Sequence, residues 1–529
     1  MSDAADRAFV LGLDGVPWPL IEPWIDAGHL PAFARLVEEG VSGPLRSTAP
    51  ANTPVAWPSI ATGTWPDRHG LYEFMKLAPD HSHRPHNRED IRQPPLWELL
   101  SPAVVGNVPM TYPAGGVGET GTMVSGMMTP APDAEGFTQP PELGDRIRDR
   151  IPTYRVGLKW HQYGPERREA FLADFDELFE GRRELLRLLM GTDDWRLFFF
   201  VFTAPDRLQH LIWDESVILD HYRELDETLE AVIDYCERRN ATLYVVSDHG
   251  FGPVSRIVHV NRALADAGLL TPTEPSGLRA ALSKMGLTKD RVLGALDRVG
   301  IDDELLVERL PASLLDRVAR TVPGDHALYD VDAGRTRAFL HGLGSVYVND
   351  AGRFEDGAVD PADRERVKAE VLDTLSALTD PATGERVLSV HDGADLNPDD
   401  EFAPDVVVEG TAGYHVKSAL ADEVVTDADE VAAYHRPEGV FFAWGPTIAA
   451  GTSLEDAAVV DVAPTLLHGL GEPVPEAAHG RVLSEVFDPA SQPATRAVTR
   501  RDHGAASAAG DAPETSEAVE ERLRGLGYL

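Results

Sequence analysis

Acidic and imidazole side chains recur in this sequence at places where a strand should give way to a loop or helix. In "FVFTAPDRLQHLIWD", Asp206 and His210 stand four residues apart in a segment able to start a helix, so both can face one side. A carboxylate and an imidazole at that spacing suit a divalent metal such as zinc. Taken alone, the pair fits a solvated Asp and a half-buried His more simply. "YVVSDHGFGP" sets Asp248 and His249 where a strand passes into a glycine-rich turn, and Gly250 and Gly252 permit the backbone angles such a turn needs. Asp14 closes the apolar run "LGLDGV". His435 precedes a Pro-Glu-Gly turn in "AAYHRPEGVFFAWGP", and His415 in "TAGYHVKS" competes with it for any missing ligand position.

Thr53 poses a different question. It lies within "STAPANTPVAWPSIATGTWPDRHG", directly before Pro54 and a run that reads as a short helix breaking at Gly63. Thr is a favoured N-cap and Pro is tolerated at the first helical position, so Thr53 is expected where the helix begins. Free N–H groups and the positive end of the dipole make such a place a phosphate site as well. Thr53 is therefore a cap, a nucleophile toward phosphorus, or both.

An α/β chain would bring these residues together. The runs "FVLGLD", "AVVGNVP", "LFFFVFT" and "TLYVVSD" are apolar without polar alternation, as in strands buried on both faces. "DVVVEG" and "VFFAWGP" continue that pattern. Helical patterns separate the runs, which points to a sheet with helices on both sides, and ligands of open α/β sheets bind beyond the carboxyl ends of the strands. Asp14, Asp206, Asp248 and His249 all fall at such ends. Two metals about 4 Å apart could grip a phosphoryl oxygen there, and one would lower the pKa of the Thr53 hydroxyl.

Composition narrows the classes. Among 529 residues there are 87 acidic and 48 basic ones, a formal charge of −39, and that field repels nucleic-acid backbones. The basic residues are nearly all Arg; an acid-rich, Lys-poor surface suits high salt and suggests a halophilic source. No apolar run approaches the roughly 20 residues of a membrane span. "MSDAADRAFVLGLDG" lacks a basic region and a signal core, which predicts a cytoplasmic protein. Cys236 is the only cysteine, so an internal disulfide or thiolate cluster is excluded.

The ordered set "LGLDG", "NTPVAWPSIATGTWPDRHG", "APDRLQH", "VVSDHGFGP" and "HRPEGVFFAWGP" resembles the type I phosphodiesterase/nucleotide pyrophosphatase family of the alkaline phosphatase superfamily. "DVAPTLLHGLG" and "GRVLSEVF" look like its closing segments. The resemblance implies a mixed, mostly parallel sheet flanked by helices, and two divalent ions, Zn²⁺ or Mn²⁺. Asp206, His210 and His435 would hold one ion; Asp14, Asp248, His249 and the Thr53 oxygen would hold the other. Thr53 would form a phosphothreonine on the way to hydrolysis of a small phosphodiester or phosphate monoester. The chain departs from the family after His69-Gly70, where an Asn that donates to a phosphoryl oxygen is expected and "LYEFMK" places Phe74. Asn52, Asn107 or a residue of the 266–325 insertion could substitute. A sulfatase should carry a Cys/Ser-x-Pro-x-Arg segment, which Cys236 in "DYCERRN" does not supply, and a cofactor-independent phosphoglycerate mutase would use a serine. A catalytically silent metal-binding protein would not need every ligand.

The expected organisation is a catalytic core over residues 1–265 and 326–488, a helical insertion over 266–325 able to lie over the site, and a polar, partly disordered tail over 489–529. The tail's last segment, "RLRGLGYL", could dock on the body or on a second subunit.

Overall fold

The computed structural model describes residues 6–158, 167–273, 331–428, 432–507 and Val519. Its centre is a mixed sheet that runs, edge to edge, through strands Thr452–Ser453, Val41–Arg46, Glu438–Trp444, Ala241–Val246, Arg7–Leu13, Leu197–Phe202, Ala103–Gly106, Thr122–Val124 and Thr138–Gln139. Arg7–Leu13 lies parallel to both Leu197–Phe202 and Ala241–Val246. The apolar runs form strands because side chains on both faces find cover. Phe9, Phe198, Phe200, Phe202 and Val245 enter one core, while Val10, Phe199, Val201, Tyr244 and Val246 enter the other. Burying a side chain of this size contributes about 1.5–3 kcal/mol. The long helices Arg168–Leu189 and Glu215–Arg239 cover the first face, and Thr53–Thr62 and Val462–Gly469 cover the second.

The register fixes which end carries the chemistry. Leu13 pairs with Phe202 and Gly12 with Val246, so these strands finish level and release Asp14, the start of the Ala204–Leu211 helix that carries Asp206, and Asp248 at one edge. Glu438–Trp444 runs antiparallel to Ala241–Val246. It therefore starts where its neighbour stops, which places His435 of the preceding strand, Ala433–Arg436, at the same edge. Val41–Arg46 is antiparallel in turn, with Arg46 opposite Glu438, and its exit leads to Thr53.

Two readings need correction. "DVVVEG" does not extend the central sheet: Val406–Gly410 belongs to a separate antiparallel sheet with Ala338–His341, Ser345–Val348 and Leu388–Asp392. Val406 and Val408 are buried in a third core that includes the Arg364–Ser376 helix, so a run of buried apolar residues does not reveal which sheet buries it. Nor does a glycine-rich turn follow His249. Gly250 opens the ten-residue strand Gly250–His259, which pairs with Gly413–Lys417, Val425–Asp427 and Ala433–Arg436.

Of the 266–325 stretch, Asp266 ends the Val260–Asp266 helix, and residues 274–325 lie outside the described residues. Of the 489–529 tail, residues 489–507 include the short helix Gln492–Thr495 and a strand, Arg500–Arg501, paired with Val474–Pro475. The "RLRGLGYL" segment lies outside the described residues. Among the described residues no helix is long and apolar enough to cross a membrane.

Candidate active site

Thr53 opens the Thr53–Thr62 helix, but Asn52 occupies the N-cap position and makes no side-chain cap hydrogen bond. The Thr53 hydroxyl does not cap either. It points across the sheet edge, 3.2 Å from His249 Nε2 and 3.5 Å from Asp14 Oδ1. The helix stops at Gly63, whose φ of 71° is the left-handed conformation that glycine adopts without strain.

The seven side chains expected at the site are all brought together and buried. Asp206 and His210 share a face of the Ala204–Leu211 helix, and His435 reaches them from its own strand. His435 Nε2 is 3.2 Å from both Asp206 Oδ1 and His210 Nε2, and His210 Nε2 is 3.3 Å from Asp206 Oδ1. Four donors bonded at about 2.0–2.1 Å around a tetrahedral zinc stand about 3.3 Å apart, so this triangle fits one small divalent ion. Beside it, His249 Nε2 lies 3.3 Å from Asp248 Oδ2 and 3.6 Å from Asp14 Oδ1, and Asp14, Asp248 and His249 make a second donor group. The His249 and His435 rings stack with centroids 3.8 Å apart and join the two groups.

The electrostatics also call for cations. Burial, then repulsion from Asp248 and Asp206, raises the Asp14 carboxyl well above its usual range. Burial and Asp206 do the same to Asp248. Burial opposes the charge on Asp206 too, but His210, His435 and Arg207 outweigh it and hold that carboxyl low. Burial keeps His249 neutral, with His435 adding to the effect, and pushes His435 down to about 4. Neutral imidazoles facing crowded carboxylates are metal donors that lack only positive charge.

Hydrogen bonds fix these groups. The Gly15 N–H donates to Asp248 Oδ1 at 3.2 Å, a contact that needs the positive φ of 73° at Gly15. The Trp57 indole donates to Asp14 Oδ2 at 3.4 Å, and Arg207 Nη1 lies 3.3 Å from Asp206 Oδ2. His435 Nδ1 lies 3.1 Å from the Ala51 carbonyl, which suits an N–H at Nδ1 and leaves Nε2 as the donor. His415 is elsewhere: its ring packs on Tyr434 at 3.7 Å, behind His435.

Phe74 is buried in the apolar core and offers no donor. Asn107 Oδ1 is 2.9 Å from both Tyr154 and Arg182, while its Nδ2 has no partner among the described residues. Residues the motifs did not single out stand nearer. One Glu73 carboxyl oxygen lies 3.1 Å from the Asn52 side-chain amide, and among the described residues the buried Tyr434 hydroxyl has no hydrogen-bond partner. The adjacency of Glu73 to Phe74 and of Tyr434 to His435 was the only available signal.

A mixed sheet with two donor groups and a threonine at one edge suits a hydrolase of phosphoester bonds. The family model for type I phosphodiesterase/nucleotide pyrophosphatase matches residues 8–433, and the chain belongs to that family; His435 falls just beyond the matched stretch. Human ectonucleotide pyrophosphatase/phosphodiesterase 5 shares the fold at 12% identity and a TM-score of 0.51, covering 91% of this chain and 100% of its own. The murine protein, as an inactive threonine-to-alanine variant in complex with AMP, is similar at 12% identity and a TM-score of 0.50, again over 91% and 100%. No curated protein sequence matched the chain.

Proposed function

We propose that the chain hydrolyses a small phosphodiester by transfer to Thr53. The supporting observation is the Thr53 hydroxyl, 3.2 Å from His249 and 3.5 Å from Asp14, beside the Asp206–His210–His435 triangle. Asp206, His210 and His435 would hold one divalent ion; Asp14, Asp248, His249 and Thr53 Oγ1 would hold the other. Such ions, Zn²⁺ or Mn²⁺ by the mixed O/N donors, supply Lewis acidity toward a phosphoryl oxygen and a lowered hydroxyl pKa.

The helix start fixes Thr53 Oγ1 as the attacking atom and aims backbone N–H groups at the phosphoryl. Attack forms the Thr53 Oγ–P bond and breaks the P–O bond to one alcohol, which leaves with a proton. Water then cleaves the phosphothreonine ester and restores the hydroxyl. The walls of buried aromatic and carboxyl groups keep the threonine oriented between turnovers. Chelator-treated protein should lose turnover of bis-p-nitrophenyl phosphate and regain it with Zn²⁺ or Mn²⁺. Full turnover by protein shown free of metal by elemental analysis would rule the proposal out.

A further inference from the structure

Glu73 is buried, 3% exposed. One carboxyl oxygen accepts from the Leu343 N–H at 2.8 Å, and the other meets the Asn52 amide at 3.1 Å. Asn52 is fully buried and adjoins Thr53. One end of its amide faces Glu73, while the other, placed as Oδ1, makes no hydrogen bond among the described residues. Buried amide groups in native proteins are rarely left so. The oxygen and nitrogen of an amide exchange places by a half-turn that heavy-atom positions do not distinguish. With Glu73 donating to the amide oxygen, the N–H₂ occupies the end that has no partner among the described residues.

We propose that Asn52 donates this N–H to a phosphoryl oxygen held at Thr53, and that Glu73 is the positioning residue that turns the amide toward it. The inference rests on the phosphoester reading above and names the donor that Phe74 cannot supply. Burial raises the Glu73 carboxyl to about 8, so it carries the proton it must donate near neutral pH. Among the described residues no basic side chain offsets that effect, and the Tyr347 and Tyr434 hydroxyls, which sense Glu73, are both held neutral by burial. Ionised Glu73 would instead accept from Asn52, reverse the amide and present an oxygen to the phosphoryl anion. On this account kcat should fall as pH rises above about 8, where Glu73 loses its proton.

The test uses the metal-loaded full chain with bis-p-nitrophenyl phosphate. Asn52→Ala and the isosteric Asn52→Asp should each lower kcat by about a hundredfold, as loss of a transition-state donor does, with KM and metal content unchanged. Glu73→Leu should lower kcat at least about tenfold. Glu73→Gln can donate to Asn52 and accept from Leu343, so it should recover most of that loss and lack the alkaline fall. Wild-type kcat in folded, metal-loaded Asn52→Asp overturns the proposal, and so does Glu73→Gln that keeps the alkaline limb. Thr53→Ala run beside them separates the two readings. If it retains turnover, the phosphothreonine step fails; if it loses turnover while the Asn52 variants keep theirs, only the donor assignment fails.

Discussion

His435 and His415 show how closely residues of one type must be told apart. Both are buried and near Tyr434, but only His435 presents Nε2 within 3.2 Å of Asp206 and His210. His415 packs its ring on Tyr434, and burial with Lys417 nearby keeps it neutral. His435→Ala should therefore remove about one ion per chain and cut activity by more than about a hundredfold, since even outer-shell losses cost 10–100-fold. His415→Phe keeps a ring against Tyr434 and should hold its full metal content. Elemental analysis of the two variants checks this, and a full complement in His435→Ala with loss in His415→Phe would exchange the roles. The candidate donors were readable because Asp, His and Thr stand at strand ends within recognisable motifs. Glu73 and Tyr434 were not, because their interest lies in long-range contacts and an unpaired atom, which no local spacing encodes.

The Thr53–Thr62 helix is held to the sheet by a close contact. Trp57 packs over Gly12, where an added Cβ would stand 2.4 Å from Trp57 Cη2 and 2.7 Å from Val201 Cγ2. The same indole reaches Asp14 Oδ2, so the packing that seats the helix also orients a metal donor. Gly12→Ala should destabilise the fold by about 1–3 kcal/mol and weaken metal binding, read from denaturant unfolding and metal titration. Wild-type values for both would mean that Trp57 moves aside freely. At this scale the strands and the helix break at Gly63 were legible, since both-sided burial demands continuous apolar runs and a left-handed cap demands glycine. The cap itself was not. Thr is a good cap in isolation, but here its hydroxyl turns to Asp14 and His249, and tertiary contacts override the local preference. "DVVVEG" reads like a central strand because a third core buries it as thoroughly.

Over the whole molecule, parallel strands that finish level and an antiparallel neighbour that starts there collect residues from Asp14 to His435 at one edge. The separate sheet that holds Val406–Gly410 comes within reach of that edge: Glu409 accepts from Ala51 N–H at 3.2 Å and Leu343 N–H donates to Glu73, so it buttresses the approach to Thr53. The strand order, the antiparallel turn of Glu438–Trp444 and the separate sheets depend on pairings between distant segments, which periodicity does not report. What the arrangement does to phosphorus is open to one direct measurement, the stereochemical course of hydrolysis. A phosphorothioate diester of known configuration is cleaved in heavy-oxygen water and the configuration of the product is assigned. Two in-line displacements, the first by Thr53 and the second by water, each invert phosphorus and together give net retention. Net inversion would mean that water attacks the substrate directly and that Thr53 never carries the phosphoryl group.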